Sequence, residues 1–278
     1  MELYNTLTDL FRSVRRMDRV IRFINGQNDE SIVSFSELWD RAHALLGSLQ
    51  ARGMRPGDER IIFSKSNESF VVAFWAAVLG GIVPVPVAVG ISDEHRLKLF
   101  RIVSQLEKAT LFTETALLER LLEFSKQRRL DDITHLLNTR TALMSDVEPT
   151  AHGEVFTARP DDIAFIQYSS GSTSDPKGVV LTHRNLCINI RAIVEATGWN
   201  KDDRSLSWMP LTHDMGLIGY HLSVLGVGMN HAVMDINVFV RRPLLWISKA
   251  SELKATQLCS PNFGYKHFLK LFQRKGLT

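Results

Sequence analysis

Residues 168 to 179, Tyr-Ser-Ser-Gly-Ser-Thr-Ser-Asp-Pro-Lys-Gly-Val, hold the densest potential chemistry in the chain. Six of the seven residues after Tyr168 are Ser, Thr or Gly. They cannot pack a core, but they offer hydroxyls and closely approachable backbone N–H groups to an anion. Lys177 adds a point charge. The stretch reads as a phosphate loop, with Ser169, Ser170, Gly171, Ser172, Thr173, Ser174, Lys177 and Gly178 as candidate nucleotide-binding residues. The apolar run from Ile163 to Ile166 precedes it and a helix-like segment from Thr182 to about Ala196 follows, so the loop is expected to join a buried strand to a helix start, where anions bind.

The P-loop of nucleotide hydrolases needs glycine immediately before its lysine and Ser or Thr immediately after it to hold magnesium. Pro176 and Gly178 occupy those places, which argues against a hydrolase of that kind. A second dense stretch runs Trp208-Met209-Pro210-Leu211-Thr212-His213-Asp214-Met215-Gly216-Leu217-Ile218-Gly219, polar residues between a strand pattern and an apolar helix pattern. In open α/β sheets ligands lie beyond the carboxyl ends of strands, which would put His213 and Asp214 at such a crevice. Helix capping or a bond to a buried carbonyl accounts for these two residues equally well. A metal site is not indicated, because no second His or carboxylate follows at ligand spacing. The third stretch, Ser260-Pro261-Asn262-Phe263-Gly264-Tyr265, also follows a strand pattern; a helix start with Pro261 in its first turn and Phe263 in the core is the structural alternative.

Positioning these stretches falls to an alternation of strands and helices. Leu7, Leu10, Phe11 and Val14 share a helical face, Val20 to Ile24 reads as a strand, and Asn25-Gly26 is a hairpin turn signal. Ser34 and Glu37 suggest a capping box for a helix that stops at Gly53. After the Arg55-Pro56-Gly57-Asp58 turn come a strand at 60–64, an apolar helix at about 68–79, a strand at 82–87, a helix at 93–106, a strand at 110–113 and a helix at 116–124. Residues 125 to 160 are polar and weakly patterned, and read as a connection or edge elements. Beyond the phosphate loop, strands at 206–209, 232–236 and 255–259 alternate with helices at 217–225 and 243–250. The expected fold is α/β, with mostly parallel sheets flanked by helices.

With 278 residues, 45% hydrophobic, the chain can bury one large core or two smaller ones. A formal charge of +3, with basic residues only in short pairs such as Arg15-Arg16, leaves no continuous footprint for nucleic acid. Two distant cysteines, Cys187 and Cys259, fit a reduced cytoplasmic protein. The N-terminus lacks the basic and apolar regions of a secretion signal. Phe70 to Ile91 is uncharged and long enough to span a bilayer, but Gly80-Gly81 and Pro84-Val85-Pro86 break any single helix, so no membrane span is expected.

The phosphate loop resembles that of the adenylate-forming enzymes, the superfamily of acyl-CoA synthetases, peptide-synthetase adenylation domains and fatty acyl-AMP ligases, although the family usually has Gly where Ser174 stands. His-Asp-Met-Gly-Leu-Ile-Gly after Pro-Leu-Thr is similar to the motif of fatty acyl-AMP ligases, with the starter-loading ligase domains of hybrid polyketide and peptide synthases as the nearest likeness, and Ser260 to Tyr265 resembles the segment that lines the acyl pocket. The early Gly-x-x-Pro-Gly-Asp turn of residues 53–58 also matches. The resemblance implies that ATP and Mg2+ activate a fatty or other carboxylic acid to an acyl-adenylate, with release of pyrophosphate and transfer to the phosphopantetheine thiol of a carrier protein or downstream synthase module. It makes Lys177 and His213 the catalytic residues, puts Thr173 near the metal, and gives substrate contacts to His213, Asp214, Met215, Gly216, Asn262 and Phe263. It further implies that residues 1–278 are part of an N-terminal adenylation domain, roughly 1–160 and 161–278, lacking the later Glu, ribose-binding Asp and terminal lysine, and inactive alone. Transfer to coenzyme A, activation of an amino acid, and a non-catalytic nucleotide-binding scaffold remain open alternatives; a phosphotransferase would need an acceptor base and a magnesium carboxylate that the chain does not identify.

Overall fold

In the computed structural model, the described residues are 4–90, 92–146, 148, 152–169 and 176–275. Helix α1 (Leu7–Val14) leads into strands β1 (Val20–Ile24) and β2 (Glu30–Ser34), which pair antiparallel from Ile24 opposite Glu30 to Val20 opposite Ser34. The Asn25-Gly26 signal is the turn between them, where both amides donate to the Asp29 carbonyl at 2.8 and 3.0 Å. Ser34 Oγ accepts from Glu37 N at 3.1 Å and so caps α2 (Phe35–Ala51). Gly53, in the left-handed region at φ +86°, lies just beyond that helix.

The chain divides into two compact units. One comprises Asn5–Thr8 and Trp39–Asn185, the other Met1–Tyr4, Asp9–Leu38 and Leu186–Thr278. In the first unit, β3 (Glu59–Phe63), α3 (Asn67–Leu79), β4 (Val83–Pro86), α4 (Asp93–Gln105), β5 (Thr110–Thr113), α5 (Thr115–Gln127), α6 (Asp131–Thr139) and β6 (Thr141–Leu143) form a parallel sheet of order β4-β3-β5-β6 with helical connections. Phe70 to Leu79 of α3 are all buried, which explains an apolar run with no polar face. The helix stops at Gly80 and the chain returns as β4, so the uncharged stretch is a helix, a turn and a strand. No helix among the described residues is long and apolar enough to cross a membrane. Pro84 and Pro86 are tolerated because β4 lies at the sheet edge. The weakly patterned region contains α6 and β6; a three-residue strand at the other edge carries too little periodicity to be legible.

The unit closes with the hairpin β7 (Ile163–Ser169) and β8 (Lys177–Thr182). Helix α7 (His183–Thr197) then leads into the second unit, which holds β9 (Arg204–Ser207), a π-helix at Met215–Leu222, α8 (Ser223–Val227), β10 (Asn230–Met234), α9 (Ile236–Arg241), α10 (Pro243–Glu252), β11 (Gln257–Leu258) and α11 (Asn262–Lys275). Its sheet order is β11-β9-β10-β1-β2, parallel throughout except for β2 at the edge. The fold class is therefore α/β with mostly parallel sheets and flanking helices, as the alternation of patterns implies.

An ion network anchors β2 to α10. Glu30 receives Arg22 at 2.7 Å and Lys249 at 2.5 Å, and Lys249 also meets Glu252 at 2.9 Å. Burial alone would raise the Glu30 carboxyl, but the hydrogen bonds from Lys249 and Arg22 outweigh it and hold it below the ordinary value. A carboxyl lowered in the folded state contributes stability above the unfolded Glu range, and that contribution is lost as pH falls through the lowered value. Glu30→Gln should leave Lys249 undercompensated and cost about 1–3 kcal/mol at pH 7. Urea unfolding checks this: an unchanged midpoint in the variant would show that the network contributes nothing.

Candidate functional site

Candidate site residues fall in both units. In the first, Ser169 pairs with Lys177 and Tyr168 with Gly178 across the β7–β8 hairpin. A Cβ at Gly178 would lie 3.1 Å from the Tyr168 ring and 3.0 Å from Ile166, so glycine lets the ring lie against the opposing strand. Lys177 is exposed, while Pro176 is buried and its carbonyl accepts from Gln105 Nε2 at 3.3 Å. Ser170, Gly171, Ser172, Thr173 and Ser174, including the expected metal contact of Thr173, lie outside the described residues.

The structure corrects one expectation here. The loop does not open directly into a helix; β8 intervenes, and the chain folds back on β7. The β-branched Val179, Val180 and Thr182 favour an extended backbone. Helix α7 has its own cap, in which Thr182 Oγ1 accepts from Asn185 N at 3.2 Å and Asn185 Oδ1 accepts from Thr182 N at 3.1 Å.

In the second unit, β9, β10 and β11 are parallel neighbours, so the segments that follow β9 and β11 leave from the same edge of the sheet. One is the His213 stretch, the other Ser260–Tyr265. His213 N donates to the Pro210 carbonyl at 3.0 Å, forming a turn that presents the ring to solvent. Its Nδ1 lies 2.6 Å from Asp214 Oδ1. Asp214 Oδ1 accepts from Met215 N at 2.6 Å, so this carboxylate caps the helix that follows.

That helix begins at Met215, two residues before the apolar pattern, and is π-wound to Leu222. Ser223 Oγ donates to the carbonyl of Ile218, five residues back, at 2.8 Å. A Cβ at Gly216 would fall 2.2 Å from the Pro210 carbonyl oxygen and 2.8 Å from that of Met209, so only glycine fits where the helix presses on the turn before it. The expected substrate contacts Met215 and Gly216 thus differ: Met215 is exposed and Gly216 is buried.

Trp208, immediately beyond β9, stacks on Phe239 of α9 with centroids 3.8 Å apart and planes 4° from parallel. Trp246 of α10 and Phe263 of α11 meet it edge-on at 6.4 and 5.8 Å. Gly264 sits flush against this ring; a Cβ there would lie 2.5 Å from Trp208 and 2.1 Å from Ser260 Oγ. Phe263 is 62% exposed, so it is not a core residue, and Asn262 beside it is also exposed. Sequence patterns missed Phe239 and Trp246, which come from α9 and α10 and share no local motif with Trp208.

A buried polar cluster joins β9, β10 and the π-helix. Ser205 Oγ is 2.5 Å from His231 Nδ1, and the rings of His231 and His221 are 5.9 Å apart. Burial pushes His221 down to about 3 and His231 well below its ordinary value, so both are neutral at pH 7. Among the described residues no group of three or more His, Cys, Asp or Glu could hold a metal ion.

Two outcomes are expected. Gly216→Ala should force the π-helix away from Pro210 at a cost of about 1–3 kcal/mol or more, and an unchanged melting temperature would contradict that. Because His221 binds its proton only in the unfolded chain between about 3 and 6.5, stability should fall below pH 6.5 by about 1.4 kcal/mol per pH unit on its account, and His231, lowered in the same direction, adds to the fall. His221→Leu should flatten that dependence; urea midpoints at pH 7.5 and 5.0 that shift as in the parent would count against it.

The profile of a family described as AMP-binding enzyme matches residues 10–276. The chain is 31% identical over 280 residues to the medium-chain-fatty-acid–[acyl-carrier-protein] ligase JamA of Moorena producens, covering 96% of this chain and 46% of that protein. It is 31% identical over 255 residues to the long-chain-fatty-acid–AMP ligase FadD32 of Mycolicibacterium smegmatis, covering 88% of this chain and 40% of that one. It therefore spans less than half the length of either relative. Among solved structures, an adenylation domain of a keto acid-selecting NRPS module bound to keto acyl adenylate superposes with a TM-score of 0.89 at 27% identity, covering 98% of this chain and 49% of that one. The fatty acid AMP ligase from Legionella pneumophila superposes at 0.84 and 26% identity, covering 94% and 45%. With a family profile spanning nearly its whole length, this chain belongs to the AMP-binding enzyme family.

Proposed function

We propose that the protein carrying this chain activates a fatty or other carboxylic acid as its acyl-adenylate and passes the acyl group to the phosphopantetheine thiol of a carrier protein. The observation that carries this reading is the 31% identity to an acyl-carrier-protein ligase across 96% of the chain, a span that includes both the Ser/Thr/Gly loop with Lys177 and the His213–Gly219 stretch. The names of FadD32 and of the Legionella enzyme point to the same chemistry in those proteins.

In the first step a carboxylate oxygen attacks the α-phosphorus of ATP, and the bond from that phosphorus to the bridging oxygen breaks to release pyrophosphate. In the second, a thiol sulfur attacks the acyl carbonyl, AMP leaves, and the thiol proton passes to solvent or a base. The demand of the first step is electrostatic, since an anionic acid must approach an anionic triphosphate. Ser169, Ser170, Gly171, Ser172, Thr173, Ser174 and Gly178 would hold the outer phosphates through hydroxyl and N–H donors, with Thr173 beside Mg2+. Lys177 would offset their charge.

His213 would position the carboxylate beside the α-phosphate. It need not act as a base, because a carboxylic acid is already ionised at neutral pH. The exposed Nε2 side of its ring is free for this role while Nδ1 faces Asp214. Asp214 would serve chiefly by fixing the turn. Met215, Gly216, Asn262 and Phe263 would line the acyl side next to the Trp208 stack.

The test is ATP–pyrophosphate exchange with fatty acids of graded length, using a protein that joins this chain to the segments its relatives carry beyond it. Acid-dependent exchange is expected, falling about tenfold to a hundredfold in Lys177→Ala through loss of charge-assisted phosphate contacts. His213→Ala should raise KM for the acid and lower kcat. Exchange that no carboxylic acid stimulates would overturn the reading in favour of a nucleotide-binding scaffold.

A further inference from the structure

A buried cation with no carboxylate partner among the described residues lies beside the turn of residues 53–58, outside the candidate site residues. Arg60, near the start of β3, is only 3% exposed. Its Nη1 donates to Met54 Sδ at 3.1 Å and Thr110 Oγ1 at 3.4 Å, and its guanidinium carbon lies 5.3 Å from the Phe112 ring centroid. These partners are neutral. Nη2 is buried with no hydrogen-bond partner, and no carboxylate pairs with the group among the described residues. Burial, and after it the charge of Arg52, pushes the guanidinium down to about 9, so it still carries its charge at neutral pH. A buried charge left in this state is costly unless something anionic answers it.

Arg60 lines a cavity of about 550 Å³ at the amino-terminal edge of the β3-β5-β6 sheet, within the range of small-molecule pockets. The other charged residues around it are Arg52, Lys108, Arg140 and a single acid, Asp58. Asp58 is already 3.6 Å from Lys108 Nζ, and Arg52 is answered outside the cavity lining by Asp146 at 3.0 Å. Arg140 makes no ion pair among the described residues and is exposed at the rim. The balance is strongly positive and includes three guanidinium forks, the geometry that suits phosphate oxygens. Strands β3, β5 and β6 all begin at this edge, opposite the carboxyl ends at which α/β sheets usually hold their substrates.

We propose that this cavity is an anion site for a phosphate-bearing small molecule, held between Arg60 at the floor and Arg52, Lys108 and Arg140 at the rim. The assignment does not depend on the proposed adenylation chemistry. A bound phosphate would supply the countercharge that Arg60 lacks and so would stabilise the first unit.

Calorimetric titration and thermal unfolding of the chain with inorganic phosphate, pyrophosphate and ADP, at ionic strength held constant with chloride, test it. At least one of the three should bind and raise the melting temperature, with the most effective one identifying how much of a ligand the cavity accepts. Arg140→Gln, an exposed change that leaves the core intact, and Arg60→Met should each weaken binding about tenfold or more through loss of a charge-assisted contact. In a Lys177→Ala background, which removes the charge contact of the proposed nucleotide loop, binding should persist and remain sensitive to Arg140→Gln. Circular dichroism will show whether Arg60→Met folds; Arg140→Gln decides the matter if it does not. Stabilisation equal to that given by chloride, or binding abolished by Lys177→Ala and indifferent to Arg140→Gln, would overturn the proposal.

Discussion

The stack of Trp208 on Phe239 is the contact on which the candidate acyl side depends. Trp208 directly follows β9, Phe239 belongs to α9, Trp246 to α10 and Phe263 to α11, so one indole ring ties the end of a central strand to three separate helices. The edge-on contacts of Trp246 and Phe263 with this ring contribute about 0.5–1.5 kcal/mol each beyond their buried area. Two glycines make the arrangement possible. Gly264 brings the start of α11 against the ring, and Gly216 brings the π-helix against Pro210, so both segments reach the sheet edge without a side chain between them. His213, Met215, Asn262 and Phe263 are exposed, while Gly216 and Gly264 next to them in sequence are buried.

Charge is distributed on the same principle. In the second unit the buried ionic groups answer one another, as Glu30 does with Arg22 and Lys249, and the buried histidines stay neutral. Asp214 is spent on capping a helix, which keeps its carboxylate engaged beside a site that would receive another anion. In the first unit, by contrast, Lys177 is exposed at the start of β8 and Arg60 lies buried with no carboxylate partner among the described residues. Such cations favour the approach of anions.

Much of this was legible locally. The Asn25-Gly26 turn, the Ser34 cap, the uniformly apolar α3 and the proline-containing edge strand β4 each express a constraint contained in a few neighbouring residues. The errors arose where short-range signals competed. Residues 177–182 resembled a lead into α7, yet Val179 and Val180 belong to a strand whose partner, β7, precedes an intervening loop. The helix after His213 begins at Met215, two residues before its apolar pattern, because the Asp214 carboxylate caps Met215 N and so sets the start.

Residue types and their order alone determined that this chain would be a layered α/β protein with a Ser/Thr/Gly loop, a His-Asp turn and a Ser-Pro-Asn-Phe segment each following a strand, because strand alternation, caps and turns are local physics. Only the tertiary structure decided which of those residues are exposed and which are committed: Asp214 to a helix cap, Gly216 and Gly264 to close packing, Phe263 to the surface. It alone revealed the Trp208 stack, the His221–His231 pair and an Arg60 with no carboxylate partner among the described residues, since each depends on residues ten or more positions apart whose proximity is set by strand order and not by sequence distance.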